Sequence, residues 1–240
     1  MKTILTALAL LLVHGATIAQ TVVNRSYPVK AGEKLLLKFD YPVVRVSTWD
    51  QKEVAITAKV SINDGENDNA FTLQNESNNG VLEISSHIKD MDKLPRRYTV
   101  LQDGKKTMFK TEEEFKDYKS KAGSIRSYST GTDIDIKLEI KVPAGTPTEI
   151  KSVYGIVEMA NFNAPVNIDA TYGGIDASLD KSRAGQIKAT TMYGKIYSNL
   201  NLELTDHKQQ DFFNSITAEP GKGPAYAFKS TYGKIYIRKL

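Results

Sequence analysis

Few residues in this 240-residue chain have the type and spacing to do chemistry. There is no cysteine, which removes disulfides, thiolate metal ligands and a cysteine nucleophile. The three histidines, His14, His87 and His207, stand apart without a carboxylate at zinc-ligand spacing, so no metal centre is implied. The acidic run Asn63-Asp64-Gly65-Glu66-Asn67-Asp68-Asn69 carries oxygen atoms of the kind calcium prefers. It has Gly65 where an EF-hand loop would place a ligand and reads as a solvated hairpin turn. Serines are abundant, yet no Gly-x-Ser-x-Gly elbow occurs. Asp169, Asp176 and Asp180 fall near successive turns with Lys181 and Arg183 beside them. Carboxylates held about 5–9 Å apart would suit glycoside hydrolysis, but this composition is also that of a charged β surface. No catalytic residue, cofactor site or metal site is expected.

What does recur is an aromatic residue followed by glycine. Ser152-Val153-Tyr154-Gly155-Ile156-Val157 returns as Ala170-Thr171-Tyr172-Gly173-Gly174-Ile175. It returns again as Thr191-Met192-Tyr193-Gly194-Lys195-Ile196 and as Ser230-Thr231-Tyr232-Gly233-Lys234-Ile235. The tyrosines lie 18, 21 and 39 residues apart. The double-length gap holds a degenerate copy, Phe212-Phe213-Asn214-Ser215-Ile216, in which Asn214 replaces glycine, as a left-handed turn would allow. The corner residues Gly155, Gly173, Gly194, Asn214 and Gly233 are therefore expected either at positive φ or where no Cβ fits. Tyr154, Tyr172, Tyr193, Phe213 and Tyr232 share one position of the repeat. If copies stack as neighbouring strands, about 4.8 Å apart, their rings form a ladder. Such a ladder offers aromatic surface to a sugar ligand, or stabilises the corners by ring-on-ring packing. Tyr197 and Tyr236 point outward and enlarge the aromatic set.

The elements that must position these rings follow from the flanks. Ile150, Ile168, Ala189 and Phe228 lie four residues before the tyrosines, and Thr148, Val166, Ile187 and Tyr226 six before. After the corners come Val157, Ile175, Ile196, Ile216 and Ile235. Each unit is a strand, a corner and a second strand, with one apolar face that only stacking can bury. The fold expected is all-β, a parallel β-solenoid over 134–240. Asp40-Tyr41-Pro42-Val43-Val44 is a divergent sixth copy, with Leu35, Leu37, Val44 and Val46 in matching positions. Residues 20–88 alternate apolar and polar over several stretches and predict antiparallel or irregular strands. Residues 89–133 break the pattern with dense charge and read as an insertion between strands. Within it, Thr111 and Glu114 make a capping box for a short helix, and Gly123 to Gly131 is rich in Ser and Gly.

The N-terminus carries Lys2, an apolar run from Ile4 to Val13, and Ala19 before Gln20. That is the layout of a signal peptide over 1–19, and the run is too short to span a bilayer. The expected address is outside the cytoplasm, in the periplasm or at the cell surface, with no membrane span after cleavage. Charge is close to balanced, with 32 basic and 28 acidic residues and no basic stripe, so nucleic acid is not the expected partner.

The run of corner-glycine units from Tyr154 onward, together with Tyr41-Pro42-Val43-Val44-Arg45-Val46-Ser47-Thr48-Trp49-Asp50-Gln51-Lys52-Glu53-Val54, resembles the putative-adhesin domains of bacterial envelope proteins. The likeness spans 35–62 and 134–240. The resemblance implies a β-solenoid and carries no catalytic residues. The function expected is a non-enzymatic envelope or surface protein that binds or scaffolds, with an envelope glycan or envelope protein as partner. The competing classes are a polysaccharide-active β-helix enzyme and an envelope-stress accessory protein acting through protein partners.

Overall fold

A computed structural model describes residues 20–240 apart from 124 and 126; the expected signal peptide, 1–19, lies outside the described residues. Four strands open the chain: β1 (Thr21–Pro28), β2 (Lys34–Phe39), β3 (Val43–Trp49) and β4 (Glu53–Ile62). The hairpin β5 (Phe71–Asn78) and β6 (Val81–Ile88) follows. Next come β7 (Arg97–Gln102), β8 (Lys105–Phe109), the helix α1 (Glu112–Lys121) and β9 (Tyr128–Gly131). The long β10 (Ile134–Pro143) leads into pairs of short strands: β11 (Thr148–Ser152) with β12 (Val157–Met159), β13 (Val166–Ala170) with β14 (Ile175–Leu179), and β15 (Gln186–Thr191) with β16 (Ile196–Ser198). A hairpin, β17 (Leu204–Gln210) and β18 (Phe213–Ala218), precedes the last pair, β19 (Ala225–Ser230) and β20 (Ile235–Lys239).

The protein is all-β apart from α1 and three short 3₁₀ turns among the described residues, and it is built on two large mixed sheets. One runs β1-β4-β10-β3-β12-β14-β20-β16, the other β17-β18-β15-β19-β13-β11-β2-β6-β5. Five units (β2/β3, β11/β12, β13/β14, β15/β16 and β19/β20) each place their first strand in the nine-stranded sheet and their second in the eight-stranded one, with the corner between. Period-two alternation turns alternate side chains inward. In β4, Val54, Ile56, Ala58, Val60 and Ile62 are buried while Lys59 is exposed. The inward rows of both sheets form one core, from Leu35 and Val44 through Ile150 and Ile168 to Ile235 and Ile237.

The alignment of the four Tyr-Gly units holds residue for residue. Leu35, Thr148, Val166, Tyr226 and Ile187 lie side by side in the nine-stranded sheet. Val44, Val157, Ile175, Ile235 and Ile196 do so in the other. The divergent copy at Tyr41 joins this stack. Within 20–88 the expected antiparallel pairs form at β1/β4 and β5/β6, while β2 and β3 pair in parallel with the later units.

Three expectations need correction. The first is a parallel β-solenoid in chain order, which does not form. Both sheets are mixed, with antiparallel pairs at β1/β4, β4/β10, β5/β6, β15/β18 and β17/β18. The last unit, β19/β20, also sits between β13/β14 and β15/β16. The second concerns Phe213 and Asn214, which make no corner. They open β18, which returns antiparallel on β15 with Asn214 opposite Thr191. The physical reason is in β17: its polar residues, His207 and Gln209 among them, have no inward face to bury, and every residue of the strand is exposed. The segment forms an edge hairpin instead of another unit.

The third correction concerns 89–133, which is more than a charged loop. Strands β8, β7 and β9 form a small antiparallel sheet. The α1 side chain Phe115 is buried against it, packing on Tyr98 (5.3 Å between ring centres), Phe109 and Tyr128. The expected capping box is present: Thr111 Oγ1 accepts from Glu114 N, and Glu114 Oε2 accepts from Thr111 N.

Candidate functional site

The corners are built from backbone inward. Tyr154 N donates to Asp40 O, Tyr172 N to Val153 O, Tyr232 N to Thr171 O and Tyr193 N to Thr231 O, all at 2.7–2.9 Å. Hydrogen bonding between units thus continues through the corner and brings the chains to strand spacing there. No corner glycine has a positive φ. Glycine is required for a different reason. A Cβ on Gly155 would overlap Pro42 O, one on Gly173 would overlap Gly155 O, one on Gly233 would overlap Gly173 O, and one on Gly194 would overlap Gly233 O. Hydroxyls two residues before the tyrosines lock the turns. Ser152 Oγ donates to Gly155 O at 2.8 Å, Ser230 Oγ to Gly173 O at 3.0 Å and Thr191 Oγ1 to Gly233 O at 3.2 Å. Sequence reasoning missed this role, although a Ser or Thr at that place in three of four copies was its signal.

Tight corners bring the rings into register. In spatial order the ladder runs Tyr41, Tyr154, Tyr172, Tyr232, Tyr193, with ring centres 5.4, 5.3, 5.1 and 5.0 Å apart and planes within 19°. Phe213 does not belong to it. Its neighbour Phe212 closes the end, 5.6 Å from Tyr193 and tilted by 48°. The ladder is exposed along its length: Tyr154, Tyr172, Tyr193 and Tyr232 each keep at least half of their surface in solvent. Among the described residues none of the five ladder hydroxyls has a hydrogen-bond partner in the protein, whereas buried Tyr226 donates from Oη to Phe162 O at 2.8 Å. Because each ring face is covered by the next ring, the ladder presents ring edges and a row of phenol hydroxyls. At the Tyr193 end the ring left most open to solvent is that of the tilted Phe212. Tyr197 and Tyr236 form a second stack, 5.1 Å apart.

The Tyr193 end opens into a cleft of ≈ 1350 Å³ between β16 and the β17–β18 hairpin. Tyr193, Tyr197, Tyr232 and Phe212 line it with His207 and Gln209. The eight-stranded sheet stops at β16 while the nine-stranded sheet continues through β18 and β17, and this mismatch makes the cleft.

The other candidates lie apart from the ladder. Asp169 accepts from Lys229 at 2.8 Å and Asp176 from Arg238 at 2.7 Å. Asp180 accepts from the hydroxyl and backbone N–H of Ser182, which hold its carboxyl below the ordinary carboxylate range. In the acidic run, Asn63, Asp64 and Gly65 adopt left-handed conformations in a turn that anchors the 89–133 segment. Asn63 Nδ2 donates to Pro95 O, and Glu66 receives Arg97 and Lys110 at 2.6 and 2.5 Å. His87 is exposed on β6 opposite Thr72. No helix among the described residues is long and apolar enough to cross a membrane.

No family model matches the chain, and no curated protein matches its sequence. Solved structures do resemble it. A putative cell adhesion protein from Clostridium sporogenes is similar at 14% identity and a TM-score of 0.47, over 92% of this chain and 100% of that one. A putative adhesin from Parabacteroides distasonis is similar at 8% identity and a TM-score of 0.28, over 92% and 98%. A putative adhesin from Bacteroides fragilis is similar at 10% identity and a TM-score of 0.22, over 93% and 99%.

Proposed function

We propose that this chain is a non-enzymatic, exported envelope or surface protein that binds glycans along its tyrosine ladder, with the cleft beside Tyr193 as the principal seat. The observation that carries the reading is the row of five exposed, stacked tyrosines whose hydroxyls are left without protein partners. Tyrosine combines a rigid apolar body with a polar tip, the combination that binding surfaces favour. Sugars need both, an apolar face to stack on and partners for their hydroxyls. The stacked parallel units act as a rigid support that holds these groups at fixed spacing, so little ordering cost falls on binding.

The test is a glycan panel probed with purified 20–240 and with a Tyr193→Ala/Phe212→Ala variant. Binding by the parent, weakened about tenfold or more in a variant that keeps its cooperative melt, is the expected result. A parent that binds no glycan on the panel overturns the reading.

A further inference from the structure

Resting on the glycan reading, we infer that the ligand is an acidic polysaccharide whose carboxylate or sulfate groups seat on Lys195 and Lys234. Each of these lysines directly follows a corner glycine, and the pairing of Ile196 with Ile235 sets them side by side where the corners enter the neighbouring strands β16 and β20. Strand spacing there is about 4.8 Å. Both are exposed, and both line the cleft at the ladder's end. Like charges on adjacent strands repel, and among the described residues neither lysine pairs with a carboxylate.

Elsewhere on the same stack, four basic residues find an acidic partner on a nearby strand, while Lys188 and Lys239 stand singly, without a second lysine at their side in the pairing. Arg45 donates to Glu158 at 2.6 Å, Arg238 to Asp176 at 2.7 Å, and Lys38 to Glu83 and Lys229 to Asp169 at 2.8 Å. In the three units farther from the cleft, the position of the two lysines is taken by Val43, Ile156 and Gly174. The paired charge therefore appears where the cleft opens, and it is uncompensated there.

Aromatic rings flank the lysines on both sides, in the corners and in the strands that follow. Tyr193 and Tyr232 lie two residues before them, and the stacked pair Tyr197 and Tyr236 two after. Four residues of strand span at most about 13 Å, which leaves room for a short run of sugar rings centred on the two ammonium groups. Across the cleft, the hairpin offers His207, Gln209 and Gln210 to sugar hydroxyls. Asp211 is the one acidic residue of the lining, against two lysines.

The experiment measures affinity for two matched pairs of polymers, dextran sulfate against dextran and polygalacturonate against its methyl ester. The proteins are the parent, Lys195→Gln/Lys234→Gln, Tyr193→Ala and, as a control for bulk charge, Lys222→Gln on a distant turn. The expected result is tighter binding of an acidic polymer than of its neutral partner. The double lysine variant should lose about tenfold or more of that affinity and little of the neutral affinity, while Lys222→Gln changes neither. Tyr193→Ala should weaken both. The two pairs tell a sulfate ligand from a uronate one. Equal binding of charged and neutral polymers, or an equal loss in Lys222→Gln, overturns the lysine seat and leaves the glycan reading standing. Absence of binding to all four overturns both, as does tighter binding of single-stranded DNA than of any polysaccharide.

Discussion

At the scale of single residues, the corner glycines are held by contact between units rather than by backbone conformation. A Cβ at Gly194 would overlap the Gly233 carbonyl oxygen, and a carbonyl in a hydrogen-bonded ladder cannot step aside without moving its own unit. Gly194→Ala is therefore expected to lower stability by about 1–3 kcal/mol, as overpacking does, with Gly194→Val costing more, measured by urea unfolding. The middle of the ladder separates packing from binding. Tyr172 stacks on both Tyr154 and Tyr232, so Tyr172→Ala removes two ring pairs and should cost about 1–3 kcal/mol. Tyr172→Phe keeps both stacks and removes only the hydroxyl. It should melt with the parent and lose glycan affinity if the phenol row contacts the ligand, which titration calorimetry reads directly.

At the scale of elements, the 89–133 segment is a small sheet and helix with its own aromatic cluster around Phe115. It is tied to the body by Glu66, which bridges Arg97 and Lys110. The hydrogen bond from Lys110 holds the Glu66 carboxyl below its ordinary 4.5, outweighing partial desolvation. A carboxylate lowered in the folded state contributes stability above its unfolded pKa, and that contribution is lost as pH falls through the folded value. Acidification below about pH 4.5 should thus loosen this attachment first. Hydrogen exchange over 97–131 is the measurement, and Glu66→Gln should raise exchange at neutral pH and remove the acid dependence. Phe115→Ala should make 97–131 the first site of limited proteolysis while the two large sheets keep their cooperative melt, because its neighbours belong to the small sheet.

At the scale of the molecule, the order of the units matters most. The C-terminal unit lies inside the stack, so β15 and β16 meet β13 and β14 only through β19 and β20. Deleting 223–240 should expose both neighbours and abolish exchange protection across 186–198 as well. Had the units stacked in chain order, the same deletion would remove an end unit and leave the rest folded. Inserting the last unit also requires closing the loop spanned by the β17–β18 hairpin, a long-range step that slows folding.

The sequence by itself determined the repeating unit and its register. Alternation and the recurring Tyr-Gly step are local signals, and any stacking that buries the apolar rows must align Ile150 with Ile168 and Phe228. It also located the ring column and the helix cap at Thr111, because both depend on neighbours in the chain. The tertiary structure alone decided which unit stands beside which. The units present nearly the same face to any neighbour, so their order follows from how the ends pack and how the connections reach, and neither is written in one unit. It likewise made Phe212, not Phe213, the ring that ends the ladder, since the polar β17 had no face to bury and folded back as a hairpin. The cleft, with its uncompensated Lys195 and Lys234, exists because that hairpin extends one sheet past the other, a mismatch between two sheets that no single stretch of residues records.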